Sequence, residues 1–107
     1  MDFKNHYIEK KISDLDEMDS KVRIMGFVVD KKENTIVLDD GSGKIKIFTD
    51  ATNIIDNLNI NQFVRIFGSI IPVENDIELR ADIIQDLSGF NIDLFKKTKE
   101  LYNKLEV

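Results

Sequence analysis

The sequence contains no cysteine and no tryptophan, one proline, Pro72, and one histidine, His6. Without thiols neither a disulfide framework nor a thiolate metal site can form, and a reducing compartment is compatible with the composition. His6 sits among charged residues near the start, where a metal would need carboxylates of no defined geometry, so no metal and no cofactor are expected. No apolar run is long enough to span a bilayer, and the charged opening "MDFKNHYIEKK" lacks the apolar centre of a signal peptide. The expectation is a cytosolic chain, nuclear if its source is eukaryotic, with no membrane contact. Internal repeats, low-complexity tracts and proline-rich linkers are missing as well. The 107 residues suit one domain with one core and leave no room for a separate catalytic domain. A net charge of −5 opposes a surface that collects phosphates all over, although a local basic stripe could still bind nucleic acid.

What is present begins with "IVLDDGSGKIKIFTD", Ile36 to Asp50, which has the look of a loop built to hold something. A calcium EF-hand loop needs glycine at its sixth position and a bidentate Glu at its twelfth. Counting from Asp39 puts Lys44 where the glycine belongs, and counting from Asp40 makes Ser42 and Lys44 the next ligands, so both registers fail. A P-loop would follow its Lys with Ser or Thr and a helix, whereas Lys44 is followed by the alternating run "IKIF". Two alternating runs joined by Asp-Gly-Ser-Gly make a hairpin, because glycine takes positive φ readily and Asp bonds nearby backbone. Asp39, Asp40 and Asp50 could also suggest a metal-dependent nuclease, but no base or third fixed carboxylate accompanies them. No catalytic residue is identified, and the chain reads as non-enzymatic.

The periodicity elsewhere predicts mainly β structure. Residues 1–11 form an arm or short helix, and Ile12 and Leu15 anchor the chain before a first strand from about Lys21 to Asp30. The hairpin supplies the second and third strands. A short helix around Ile54, Ile55 and Leu58 follows, with Asp50 or Thr52 available as its N-cap. "QFVRIFGSIIPV" and "IELRADII" give the fourth and fifth strands. Alternation points Val22, Ile24, Val28, Ile36, Leu38, Ile45, Ile47, Val64, Ile66, Leu79 and Ile83 inward. Gly26 and Gly68, midway along two strands, permit the bends that close a barrel. "GFNIDLFKKTKELYNKLEV" then predicts a closing helix over 89–107, with Asn91 as N-cap and Lys104 in the last turn.

On these elements, the run "VRIMGFVVD…TIVLDDGSGKIKIF…QFVRIFGSI…IELRADII" resembles the oligonucleotide/oligosaccharide-binding (OB) fold. In detail it is similar to the small subunits of replication protein A, the single-strand DNA-binding complex, with the Stn1/Ten1 telomere proteins as relatives. The tail "FNIDLFKKTKELYNKL" matches the phenylalanine, "xDL" segment and amphipathic helix that follow the barrel in the smallest such subunit. The resemblance implies a five-stranded Greek-key barrel over residues 12–88 and a subunit of a single-stranded DNA-binding complex in replication or repair. It further implies that the faces of the first strands and two flanking loops grip the nucleic acid.

Outward from those strands point Arg23, Met25, Phe27, Lys44, Lys46 and Phe48, a mixture of cations and aromatics suited to phosphate contact and base stacking. Lys31 and Lys32 belong to one flanking loop; Glu74, Asn75 and Asp76 make the other acidic. The expected interface is therefore Arg23, Phe27, Lys31, Lys32, Lys44, Lys46 and Phe48, against the plainer reading that the aromatics pack under a loop or the N-terminal arm and the cations only solubilise the strands. In the closing helix, Leu94, Thr98, Leu101 and Leu105 fall at 4-3-4 spacing, widened by Phe95 and Tyr102. That stripe either packs on its own barrel or, as the resemblance implies, pairs with other OB-fold subunits or a second copy. The competing functions are a structural assembly subunit with little nucleic-acid affinity and an RNA- or tRNA-binding module of translation.

Overall fold

The computed structural model describes residues 7–87. The expected closing helix, with Leu94, Phe95, Thr98, Leu101, Tyr102 and Leu105, lies outside the described residues, as does His6. In chain order the elements are β1 (Ile8–Glu9), a 3-10 turn (Ile12–Asp14), β2 (Lys21–Lys31), β3 (Thr35–Asp39), β4 (Lys44–Phe48), α1 (Thr52–Asp56), β5 (Phe63–Val73) and β6 (Asp76–Asp86). β2 pairs with β3, β3 with β4, β4 with β6, β6 with β5, and β5 back with β2, which closes a five-stranded barrel. All of these pairings are antiparallel except β4 with β6. β1 adds in parallel to β2, with Ile8 opposite Val22 and Glu9 opposite Arg23. Closure matters physically because it leaves the five barrel strands without a long free edge.

The core forms where alternation points it. Val22, Ile24, Val28, Ile36, Leu38, Ile45, Ile47, Val64, Ile66 and Leu79 are all buried, joined by Ile12 from the 3-10 turn, Ile55 and Leu58 around α1, and Ile70. Ile83 is the exception. The β5–β6 register shifts between Phe67 and Gly68, so that Phe67 faces Ile83 while Gly68 faces Ala81. Asp82 is the extra residue of a β-bulge, and one extra residue reverses the alternation beyond it. Ile84, opposite Ile66, then packs against the core in place of Ile83.

The helix cap also differs from expectation. α1 is capped at Ala51 with no side-chain hydrogen bond; Thr49 Oγ1 instead accepts from the Ala51 N–H at 3.2 Å. Of its apolar residues Ile55 and Leu58 are buried while Ile54 is exposed, since five residues make barely more than one turn and only one face can meet the barrel.

Alternation turns Phe63 and Phe67 outward, yet both are buried. Phe67 meets the ring of Tyr7 edge-on, centroids 5.3 Å apart, and Phe63 lies 5.0 Å from Phe27. Tyr7 is held there by donating its hydroxyl to Asp82 at 2.9 Å. Burial first, then this hydrogen bond and the charge of Asp82, pushes the Tyr7 phenol up from 10.0 to about 12. A raised value means the folded state holds its proton longer than the unfolded one, so this stabilisation is complete below about pH 10 and is lost as pH rises towards 12. Thermal melts should show the wild type losing stability across that window, and Tyr7→Phe should flatten that part of the profile.

Candidate nucleic-acid interface

The outer surface of β3 and β4 carries the face that the alternation of "TIVLD" and "KIKIF" leaves to solvent. Register places it in three rows. Phe27, Asp39 and Lys44 form one; Asp30, Val37 and Lys46 the next; Thr35 and Phe48 the third, which Arg80 of β6 extends. Lys32 stands at the β2–β3 turn beside this last row, its N–H bonded to the Thr35 carbonyl at 2.8 Å. Phe48 is half-buried, with Thr35 and Arg80 as its cross-strand neighbours. The surface can stack a planar ring on Phe48 and set cations on either side of it.

Its electrostatics are mixed. Lys46 Nζ lies 4.0 Å from Glu78 Oε2, and the Arg80 guanidinium lies 3.2 Å from Asp50 Oδ2. Lys32 and Lys44 have no ion pair among the described residues. A shallow pocket of about 30 Å³ opens at the β2–β3 end beside Lys31, Lys32, Thr35 and Lys46. At the other end a groove of about 300 Å³ lies between β4 and the β5–β6 hairpin, lined by the apolar Ile12, Leu15, Ile45 and Ile77 and by Lys44, Lys46, Asp76 and Glu78. One end of the face thus has an excess of lysines over Asp30, while at the other two lysines meet two carboxylates. Among the described residues no group of three or more His, Asp or Glu could hold a metal ion.

The residues expected at the site are not all brought together. Lys32, Lys44, Lys46 and Phe48 share the β3–β4 surface, and Phe27 lies at its far edge, four residues along β3 from the Phe48 row or roughly 13 Å. Phe27 also leans on Phe63, as the plainer reading allows. Arg23 sits elsewhere: its cross-strand partners are Phe67 and Glu9, beyond the reach of β3. Lys31 is turned by the bulge between Val28 and Asp30, which puts it in phase with inward-facing residues. Its ammonium donates to the carbonyls of Leu58 at 2.9 Å and Asp56 at 3.1 Å, where α1 ends and its carbonyls lack helical partners. Arg80, Asp50 and Glu78 were not identified from the sequence, because only the parallel β4–β6 pairing sets them beside Phe48 and Lys46.

The hairpin "DDGSG" does hold something, namely its own chain. Asp40 accepts the Ser42 hydroxyl at 2.6 Å, the Ser42 N–H at 2.8 Å and the Gly43 N–H at 3.3 Å on one oxygen, and the Ile12 N–H at 2.8 Å on the other. Burial favours protonation of this carboxyl, but the four donors outweigh it and hold its pKa below the usual value. The turn is thereby tied to the 3-10 segment that plugs the barrel with Ile12.

Comparison with solved structures places this geometry. Ten1, a telomere capping protein from Saccharomyces pombe, superposes with a TM-score of 0.66 at 16% identity, over 92% of this chain and 98% of that one. The chain has the OB fold. A replication protein A heterotrimer bound to single-stranded DNA matches with a TM-score of 0.62 at 17% identity, over 82% of this chain and 74% of that chain. The asparaginyl-tRNA synthetase of Pyrococcus horikoshii matches at 0.63 and 18% identity, over 78% of this chain but 24% of that one. No protein-family model and no curated protein matches the sequence. At these identities the likeness is one of fold, and in an OB fold the β3–β4 surface and its two flanking turns are where such barrels take oligonucleotides.

Proposed function

We propose that this OB-fold chain binds single-stranded nucleic acid without catalysis, as a small subunit of an assembly of OB-fold chains in DNA replication or repair. The observation that carries the reading is Phe48, a half-buried ring on the outer face of β4 with Arg80 across one side, Lys46 two residues before it on the same face, Lys32 at the adjoining β2–β3 turn and Lys44 at the far end of the strand. Phe48 stacks a base; Lys32 and Lys44 meet the backbone. Support comes from fold neighbours that include a heterotrimer bound to single-stranded DNA and a telomere capping protein. The assembly contact is assigned to the apolar stripe of Leu94, Phe95, Thr98, Leu101, Tyr102 and Leu105, since a stripe of that width favours an apolar partner surface.

Acidic residues on the same face, Asp30, Asp39, Asp76 and Glu78, favour a second reading in which the barrel is a structural subunit with little nucleic-acid affinity. Titrating labelled polythymidine and polyuridine at low salt separates the two. Binding is expected, and Phe48→Ala should weaken it by about 1–3 kcal/mol, the usual worth of one stacked base. Absence of binding to either polymer would leave the structural role. Tighter binding of polyuridine than polythymidine would move the assignment to RNA.

A further inference from the structure

We infer that Asp50 and Glu78 act as built-in competitors for the nucleic-acid backbone, so that this face binds a short single strand mainly through stacking and two free lysines. The inference rests on the proposed function. Its own basis is the pairing of Arg80 with Asp50 at 3.2 Å and of Lys46 with Glu78 at 4.0 Å, both on the Phe48 surface.

Exposed ion pairs of this kind are weak in themselves. Their effect here lies in what a phosphate finds on arrival. If it takes the Lys46 ammonium, Glu78 loses its counter-charge yet stays anchored on β6 beside the phosphate; the same holds for Asp50 at Arg80. Each phosphate that binds releases a condensed cation, but each displaced carboxylate gathers one from solution. The net release at a paired cation is close to nothing. Only Lys32 and Lys44, unpaired among the described residues, then contribute to salt dependence. Two neutralised phosphates predict a slope of log affinity against log salt of about −1.4, where four would give about −2.8.

The arrangement also sets the path of the strand. Its phosphates run from Lys32 at the β2–β3 turn towards Lys44 at the start of β4, and stop at the groove where Asp76 and Glu78 face Lys44 and Lys46. The fitting ligand is thus a few nucleotides with one well-stacked base, rather than a long strand wrapped over the barrel.

The test is the salt dependence of polythymidine binding for the wild type and for a Glu78→Gln, Asp50→Asn double variant, with Glu17→Gln, an exposed change away from the face, as the control for net charge. Melting curves confirm that each variant is folded. The double variant should bind about tenfold more tightly, roughly threefold for each carboxylate held some 6 Å from a phosphate in water, and its slope should steepen towards −2.8 while Glu17→Gln leaves both unchanged. Binding by the double variant but not by the wild type would support the inference still more strongly. A wild-type slope already near −2.8 and unaltered in the double variant would overturn it while leaving the proposed function intact, as would an equal gain from Glu17→Gln. If neither wild type nor double variant binds, the proposed function itself falls and this inference with it.

Discussion

Gly68→Ala should destabilise the barrel by about 3 kcal/mol, at or above the upper end of the usual cost of overpacking. A Cβ built on Gly68 would stand 2.3 Å from the Arg80 carbonyl oxygen, 3.1 Å from its carbon and 3.0 Å from Leu79 Cγ. The obstacle is backbone on a strand paired to β5 on one side and to β4 at Leu79 and Arg80 on the other, so it cannot swing away as a side chain would. Gly68 also adjoins the register shift at which β6 bulges, so relief would have to come from the feature that closes the barrel. Urea unfolding should show a lower midpoint with an unchanged slope, and a melting temperature lower by about 15 °C, given about 4–8 °C per kcal/mol for a domain of this size. Gly41→Ala is the natural contrast. That position has open space around it but φ of +88°, so its cost is confined to backbone strain of about 1 kcal/mol. A Gly68→Ala protein as stable as Gly41→Ala would show that the strands separate easily there.

Asp40→Ala is expected to cost about 2–4 kcal/mol at neutral pH, because hydrogen bonds to a charged acceptor are worth about 1.5–3 kcal/mol each and are not additive within one cluster. Its removal leaves the Ile12 N–H without its partner in a part-buried site and releases the turn that Ser42 and Gly43 hold closed. The pH dependence separates this from simple loss of packing. Because the folded-state pKa is depressed, the carboxylate's contribution is present above the usual carboxylate pKa and is lost as pH falls through the lower folded value. Urea midpoints of wild type and Asp40→Ala should therefore differ strongly near neutrality and converge in acid. An equal gap at both pH values would mean that the side chain acts by filling space.

Much of this was legible because one rule, alternation with a period of two, operates wherever a strand has one wet and one dry side. The inward residues of β2 as far as Val28 and those of β3, β4 and β5 follow it, and the "DDGSG" turn follows from the backbone freedom of glycine and the short reach of Asp. Where the reading failed, a single residue was inserted. Asp82 in β6 moved the core position from Ile83 to Ile84, and the bulge after Val28 turned Lys31 from a candidate phosphate ligand into a partner of the α1 carbonyls. Bulges leave no mark in an alternating pattern until the partner strand shows which residue is unpaired. The expected interface was divided for a related reason. Arg23 and Phe27 share a strand face with each other, but β3 leaves β2 at Phe27, so that face is split between two sides of the barrel.

By itself, then, the sequence determined the alternating dry positions of β2 to β5 and where the hairpin turns, because these depend on local periodicity and on the backbone freedom of glycine. The burial of Phe63 and Phe67, the exchange of Ile83 for Ile84 and the need for Gly68 came instead from neighbouring strands. Only the tertiary structure decided which outward residues are neighbours. Phe48 meets Arg80 and Lys46 meets Glu78 through the parallel pairing of β4 with β6, strands separated in the chain by α1 and β5. Such contacts are set by barrel closure, a property of all five strands together, and no single segment carries the information for it.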